Sequence, residues 1–491
     1  MERGSGILMH ISSLPSPYGI GTMGRAAYDF VDFLNKAGQK YWQVLPISPT
    51  GFGDSPYQSY STFAGNPYFI DFEMLAEDGG LNPEEYRYIN WGDNPEYTDY
   101  EKIANNRIRV LKAAYRADKA ELKKELREFR AKESYWIENY ALFMAIKERE
   151  DGLPYWEWDS KIKFRNPDTM AETFRELEEE IEFWVYVQYR FFEQWDKLKA
   201  YANSKGLKII GDIPIYVAED SADAWAHDEV LWLDEKRRPV KVAGCPPDYF
   251  TPKGQLWGNP LYDWDYLKST DYEWWVLRIK ATLSHCDIVR IDHFRAFSAY
   301  YSIPFGDEDA TGGCWIDGPG EHFFDVLKSQ LCENPSIIAE DLGLLDDGVR
   351  KLLKYTKFPG MKVLQFAFDP SGQSDYLPHK YDKNCVAYIG THDNDTLIGW
   401  YNNEREEVRS FLKNYLRISG DLTEGVISGL MSSVADITIV TMQDIMRLGT
   451  EARMNTPGCA GGNWQWRMKN DVVFKDNTAE KLEKITRLYG R

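Results

Sequence analysis

Eight short apolar runs, separated by helical or irregular spacers, constrain this chain more than any other feature. They lie at residues 6–11, 41–46, 207–212, 288–292, 336–341, 362–366, 386–390 and 437–442. Apolar runs of this length, bounded by turn residues, read as buried parallel strands. Strands alternating with helical spacers predict an α/β fold, a (β/α)8 TIM barrel. At 491 residues the chain exceeds an ordinary barrel. The surplus is expected as large, mainly helical insertions on the catalytic face, with residues 1–491 forming a single catalytic barrel. Residues 74–200, charge-rich and helical in period, are read as a helical insertion subdomain. Residues 243–287 are read as a loop and helix insertion covering the active site, because residues 243–260 are rich in Gly, Pro and aromatics.

The carboxyl ends of barrel strands converge on one face, where active sites form. Four of the eight runs close in acid there: Asp212, Asp292, Glu340 and Asp393. The fourth is the most informative, ending Arg290-Ile291-Asp292-His293-Phe294-Arg295. Arg290 and Asp292 are two apart and so share a strand face. A guanidinium beside a carboxylate favours its ionised form, which a nucleophile needs. A structural ion pair at a strand end fits that pair equally well, taken alone. Four acids on strands three, four, five and seven tip the reading towards chemistry. Glycoside cleavage needs one ionised carboxylate, one protonated acid and groups that hold sugar hydroxyls. Acids on neighbouring strands four and five are expected close to the ~5–5.5 Å of a retaining pair.

Composition removes other classes. With 58 Lys and Arg against 77 Asp and Glu, the formal charge of −19 disfavours nucleic acid. Six cysteines without a C-x-x-C suggest neither a zinc site nor a disulfide framework, which fits a reducing cytoplasm. No signal peptide, transit peptide or membrane-spanning run is read, and no phosphate loop or dinucleotide fingerprint. Aromatics reach 15%. Much of that is expected in the core, with the rest suited to a carbohydrate site.

The motifs Ser55-Pro56-Tyr57-Gln58, Gly211-Asp212-Ile213-Pro214-Ile215-Tyr216, Arg290-Ile291-Asp292-His293-Phe294-Arg295, Ala339-Glu340-Asp341-Leu342-Gly343 and Gly390-Thr391-His392-Asp393-Asn394-Asp395 carry a resemblance. Together with the loop at 246–264, they are similar to the 4-α-glucanotransferases called amylomaltase or disproportionating enzyme, within the α-amylase superfamily. The resemblance covers residues 6–467. Cys245 and Cys459 stand where other small residues are expected. It implies transfer of an α-1,4-glucan segment to the 4-hydroxyl of another glucan or glucose, by retaining double displacement through a covalent glycosyl-enzyme.

By that resemblance Asp292 is the nucleophile, Glu340 the acid and later base, and Asp393 the stabiliser of the distorted ring. Arg290 would hold Asp292 ionised, His392 and Asp212 would bind the same sugar, and Tyr57 would stack beneath it. Asp248, Tyr249, Phe250, Gln255, Trp257 and Asn463 are the further expected substrate contacts. The aromatics of the 246–260 loop could lie over acceptor sugars and deny water the ester, or simply pack between strands. No cofactor and no metal is implied. Partners are expected to be α-1,4-glucans and glucose, not nucleic acid or membrane, with a monomer or homodimer as the assembly. Two rivals remain open at this stage: plain starch hydrolysis, and a catalytically silent glucan-binding barrel, which three intact acids argue against.

Overall fold

The computed structural model describes residues 1–247, 251–343, 345–459 and 461–491. Among them are twelve strands: β1 (Gly4–Leu8), β2 (Tyr41–Gln43), β3 (Lys208–Ile213), β4 (Lys241–Cys245), β5 (Gln255–Pro260), β6 (Ile288–Ile291), β7 (Ala299–Pro304), β8 (Cys314–Asp317), β9 (Ile337–Ala339), β10 (Gly360–Val363), β11 (Cys385–Tyr388) and β12 (Ile437–Thr441). Eight form one parallel sheet in the order β10-β11-β12-β1-β2-β3-β6-β9. The Ala339 amide donates to the Pro359 carbonyl at 3.0 Å, joining the two ends of that order. All eight predicted strands are present, in the predicted sequence, as an α/β barrel.

The barrel strands are largely buried on both faces, which is why their composition is a nearly continuous apolar run. Ile288, Val289 and Ile291 of β6 and all three residues of β9 are buried, for example. Gly360, the first residue of β10, leaves room for the Asp341 carboxylate: a Cβ there would fall 2.5 Å from an Asp341 oxygen. The strand starts two residues earlier than the predicted 362–366, and residues 364–366 turn into a 3-10 segment instead.

Between β2 and β3 lie helices including Tyr100–Asp118, Lys123–Lys132, Ile137–Arg149 and the 27-residue Glu178–Ser204. The last is more than an added element. It packs on helix Arg25–Lys36 and on β3, so it also serves as the barrel's own outer helix at that position. Its Gln188 side chain exchanges hydrogen bonds with the Gly65 backbone, at 2.7 and 2.9 Å, and Gln194 does the same for Asp71. These bonds pin the irregular segment that carries Tyr57.

The 243–260 stretch departs from its reading as a loop. β4 and β5 are antiparallel there and continue through β7 and β8 into a four-stranded arm, ordered β5-β4-β7-β8. Gly244 and Gly258 sit in the strands, and glycine-rich composition weakens the strand signal. Helix Glu273–His285, inside the expected cover at 243–287, instead packs against β3 and β6 as an ordinary barrel connection. Aromatics fill the junction between arm and barrel: Trp264, Trp275, Phe297 and Phe323 pack on one another in stacked, tilted and edge-on pairs, with Phe297 and Phe323 stacked at 4.8 Å.

Among the described residues no helix is long and apolar enough to cross a membrane. No group of three or more His, Cys, Asp or Glu side chains among them could hold a metal ion.

Candidate active site

β3 and β6 are neighbours, and their register sets Asp212 directly beside Arg290. Arg290, 3% exposed, donates Nη1 to both Asp212 oxygens, at 2.8 and 2.6 Å, and Nη2 to Asp292 Oδ1 at 2.7 Å. Asp292 is the first residue past β6, yet its amide still donates to the Ile213 carbonyl at 2.9 Å. The barrel ladder therefore fixes the nucleophile candidate as firmly as a strand residue. Burial alone would lower the Arg290 pKa, but Asp212 and Asp292 outweigh it and hold the guanidinium charged. Burial pushes the Asp212 carboxyl upward, against the pull of Arg290. Tyr57 donates its hydroxyl to Asp212 Oδ2 at 2.8 Å. Among the described residues, Asp292 Oδ2 has no such donor.

Glu340 stands one residue past β9 and is held differently. Its Oε2 accepts from the His293 amide at 2.7 Å and its Oε1 from the Leu342 amide at 2.8 Å. The Phe294 amide adds a bond to the Glu340 carbonyl at 3.1 Å, so the segments after β6 and β9 are stitched together. His293 has φ +51°, a left-handed conformation uncommon outside glycine, at the turn that presents its amide to Glu340. Burial, then the charge of Asp292, pushes the Glu340 carboxyl up to about 8. Arg290 and the two amides oppose that without prevailing. The two neighbouring carboxyl groups thus sit in unlike environments, the condition for dividing acid and nucleophile roles. Burial pushes His293 down to about 4, so its ring is neutral, and it meets Trp257 edge-on at 4.8 Å.

Asp393 lies in the segment after β11. Its Oδ1 accepts from Asn455 Nδ2 at 2.7 Å and lies 3.3 Å from His392 Nε2, while Arg453 holds its backbone carbonyl at 2.7 Å. The His392 ring stacks on Tyr57 at 5.2 Å and 15°. Trp464 packs on both, at 5.6 and 5.8 Å, with φ +65°. Asn455, Arg453 and Trp464 were not anticipated. Their signal was the Gly-containing, irregular stretch after the last barrel strand, a long segment of the kind that carries function.

The expected contacts fare unequally. Asp212, Arg290, Asp292, Glu340, Tyr57, Asp393 and His392 are brought together by the bonds above. Tyr57 lies flat on His392 and points its hydroxyl at Asp212. Trp257 reaches the cluster through His293, and Gln255 accepts from its indole at 3.1 Å. Asn463 uses its amide within its own loop, accepting from the Thr456 amide and donating to the Cys459 carbonyl, each at 2.9 Å. Asp248, Tyr249 and Phe250 lie outside the described residues. Asn259 on β5 pairs with Gln58 at 2.9 Å, tying the arm to the Tyr57 segment.

A family model described as 4-alpha-glucanotransferase matches residues 9–473. The chain is 49% identical to a 4-alpha-glucanotransferase of Clostridium butyricum, covering 98% of this chain and 100% of that one. It is 45% identical to one of Thermus thermophilus, over 95% of each. Among solved structures, the amylomaltase of Streptococcus agalactiae in complex with acarbose superposes with a TM-score of 0.97 at 42% identity, each chain covered fully.

Proposed function

The chain belongs to the 4-alpha-glucanotransferase family and has that transferase activity; from this premise we propose that it works by retaining double displacement with Asp292, Glu340 and Asp393 as its catalytic residues. The observation that carries the reading is the contrast between Asp292, held by Arg290, and its neighbour Glu340, whose carboxyl is pushed up to about 8. In the first step an Asp292 oxygen bonds to the anomeric carbon while the bond to the leaving 4-oxygen breaks. Glu340 gives its proton to that oxygen, becoming a carboxylate. In the second step this carboxylate takes the proton of an acceptor 4-hydroxyl, whose oxygen attacks the anomeric carbon and releases Asp292. Arg290 leaves Oδ2 of Asp292 as the attacking oxygen, since Oδ1 already accepts its hydrogen bond. Asp393 and His392 hold ring hydroxyls, and Tyr57 and Trp464 set the His392 plane.

The substrates proposed are maltooligosaccharides, starch or glycogen as donors, with another glucan or glucose as acceptor. Residues 1–491 act as one catalytic unit with residues 74–200 as an insertion, in a reducing cytoplasm. The test uses maltotriose. Free glucose together with longer oligomers supports transfer, whereas maltose and glucose without longer products would mean hydrolysis. Treating the Glu340→Gln variant with α-glucosyl fluoride, which needs little acid help, should leave a glycosyl adduct on Asp292 detectable by mass spectrometry. No adduct at Asp292 would remove the double-displacement assignment.

A further inference from the structure

Trp315 on β8 is 42% exposed, a large apolar surface for a tryptophan to leave in water. It is not loosely held. The Arg295 guanidinium lies 3.9 Å from its ring centroid, and the Tyr301 ring meets it at 5.2 Å and 67°. The Arg295 side chain is itself only 12% exposed and donates to Asp346 at 2.9 Å. The three elements that fix the indole thus come from different parts of the chain: β7, the turn after β6, and the segment after β9.

That origin places the ring. Arg295 belongs to the 3-10 turn Phe294–Phe297, which follows the carboxyl end of β6 and the Asp292 position. Asp346 caps helix Asp347–Thr356, in the segment that leaves the Glu340 position. Both segments emerge on the catalytic face, so Trp315 overlies its rim on the side of β6 and β9. Arg295 is three residues beyond Asp292, which keeps their Cα atoms within about 11 Å. Among the described residues, the indole's ring contacts are with Arg295 and Tyr301 rather than with the three acids.

A pyranose ring offers an apolar C–H face and a polar hydroxyl edge. A tryptophan plane beside polar groups matches both. The guanidinium and the Tyr301 ring cover part of the indole, and 42% of the residue stays exposed. Because the ring is already immobilised, a ligand stacking on it does not lose affinity to ordering the side chain. We propose that Trp315 is an outer binding platform for α-1,4-glucan, engaging sugar units beyond those that touch Asp292, Glu340 and Asp393. The occupant is the distal part of a substrate already bound at the acids, which separates this from a general sticky patch. The proposal rests on the glucan activity but not on which acid plays which role.

Chain length is the discriminating variable. In the Trp315→Leu variant, which keeps apolar bulk and removes the aromatic plane, the ratio of kcat/KM for maltoheptaose to that for maltotriose should fall at least fivefold, chiefly through KM. Trp315→Phe should restore most of that ratio. Isothermal titration in an Asp292→Asn background should show the same selective loss of maltoheptaose affinity, independently of turnover. An unchanged ratio in Trp315→Leu, or equal losses for both sugars, would overturn the proposal and make the residue a packing element. A dimeric unmutated protein and a monomeric Trp315→Leu variant, seen by sedimentation without any change in the ratio, would overturn the proposal and assign the face to a second copy of the chain. Failure of the unmutated protein to convert maltotriose would count against the function, and the titration would still decide the platform.

Discussion

The barrel rim and the four-stranded arm face the same cleft but position their side chains by different means. At the rim, backbone register does the work: the β3–β6 ladder sets Asp212 beside Arg290 and carries the Asp292 amide onto Ile213. The arm reaches the cleft through side chains, with Trp257 edge-on to His293 and Asn259 paired with Gln58. A ladder leaves no slack, whereas ring contacts and single amide pairs adjust at little cost. The rim therefore suits the proposed bond-making groups, and the arm suits a proposed role in choosing among acceptors.

That division predicts effects of very different size. Replacing the proposed nucleophile on the rim, Asp292→Asn, should leave folding intact and lower kcat on maltotriose by at least about 10⁴-fold, since an amide cannot form the ester. Activity within tenfold of the unmutated protein would remove Asp292 from that role. Glu340→Gln should cost about 10²–10⁴-fold on maltotriose and far less on α-glucosyl fluoride, whose departure needs little protonation. Similar losses on both substrates would count against acid catalysis by Glu340.

The same residue fixes two pH dependences. Glu340 donates only while protonated, so kcat/KM for glycoside cleavage should fall as pH rises through about 8. Its folded-state pKa lies above the ordinary 4.5, so the native state holds this proton more tightly than the unfolded one. Its contribution to stability is therefore complete below about 4.5 and lost as pH rises to about 8, with a slope of at most about 1.4 kcal/mol per pH unit. Denaturant titrations of Glu340→Gln should lack that component, and an unaltered slope would show that the carboxyl is not the group responsible.

Arg290→Met leaves Asp212 and Asp292 facing each other without the cation between them. It should destabilise the fold by about 3–5 kcal/mol, read from urea midpoints. A loss under 1 kcal/mol would mean the rim network is not the buried, desolvated unit its distances describe. The arm should respond least. Trp257→Ala removes ring contacts with His293 and Tyr216, each worth about 0.5–1.5 kcal/mol at most, so the hydrolysis-to-transfer ratio should rise about two- to tenfold while ester formation on Asp292 survives. An arm variant that lost activity as completely as Asp292→Asn would erase the contrast between the two regions.

What the sequence determined by itself was periodic and local. Short apolar runs gave eight strands, because a parallel strand buried on both faces has few other compositions open to it, and the acids closing four of them located Asp212, Asp292, Glu340 and Asp393. The spacing of Arg290 and Asp292 gave their shared face, since side-chain alternation along a strand is fixed by the backbone. Tertiary structure alone decided the rest. That Asp212, far earlier in the chain, supplies the other partner of Arg290 is a matter of strand order. That Glu340 is held by the amides of His293 and Leu342 and keeps its proton depends on a left-handed turn and on burial, neither of which leaves a composition signal. The arm stayed hidden because its glycines and prolines read as loop, and its strands gain their order from pairing with one another. Trp464 and Asn455 stayed hidden because they reach Tyr57, His392 and Asp393 across a long stretch of chain. Local pattern reports what a segment prefers; which distant segment it meets is set by packing the whole chain at once.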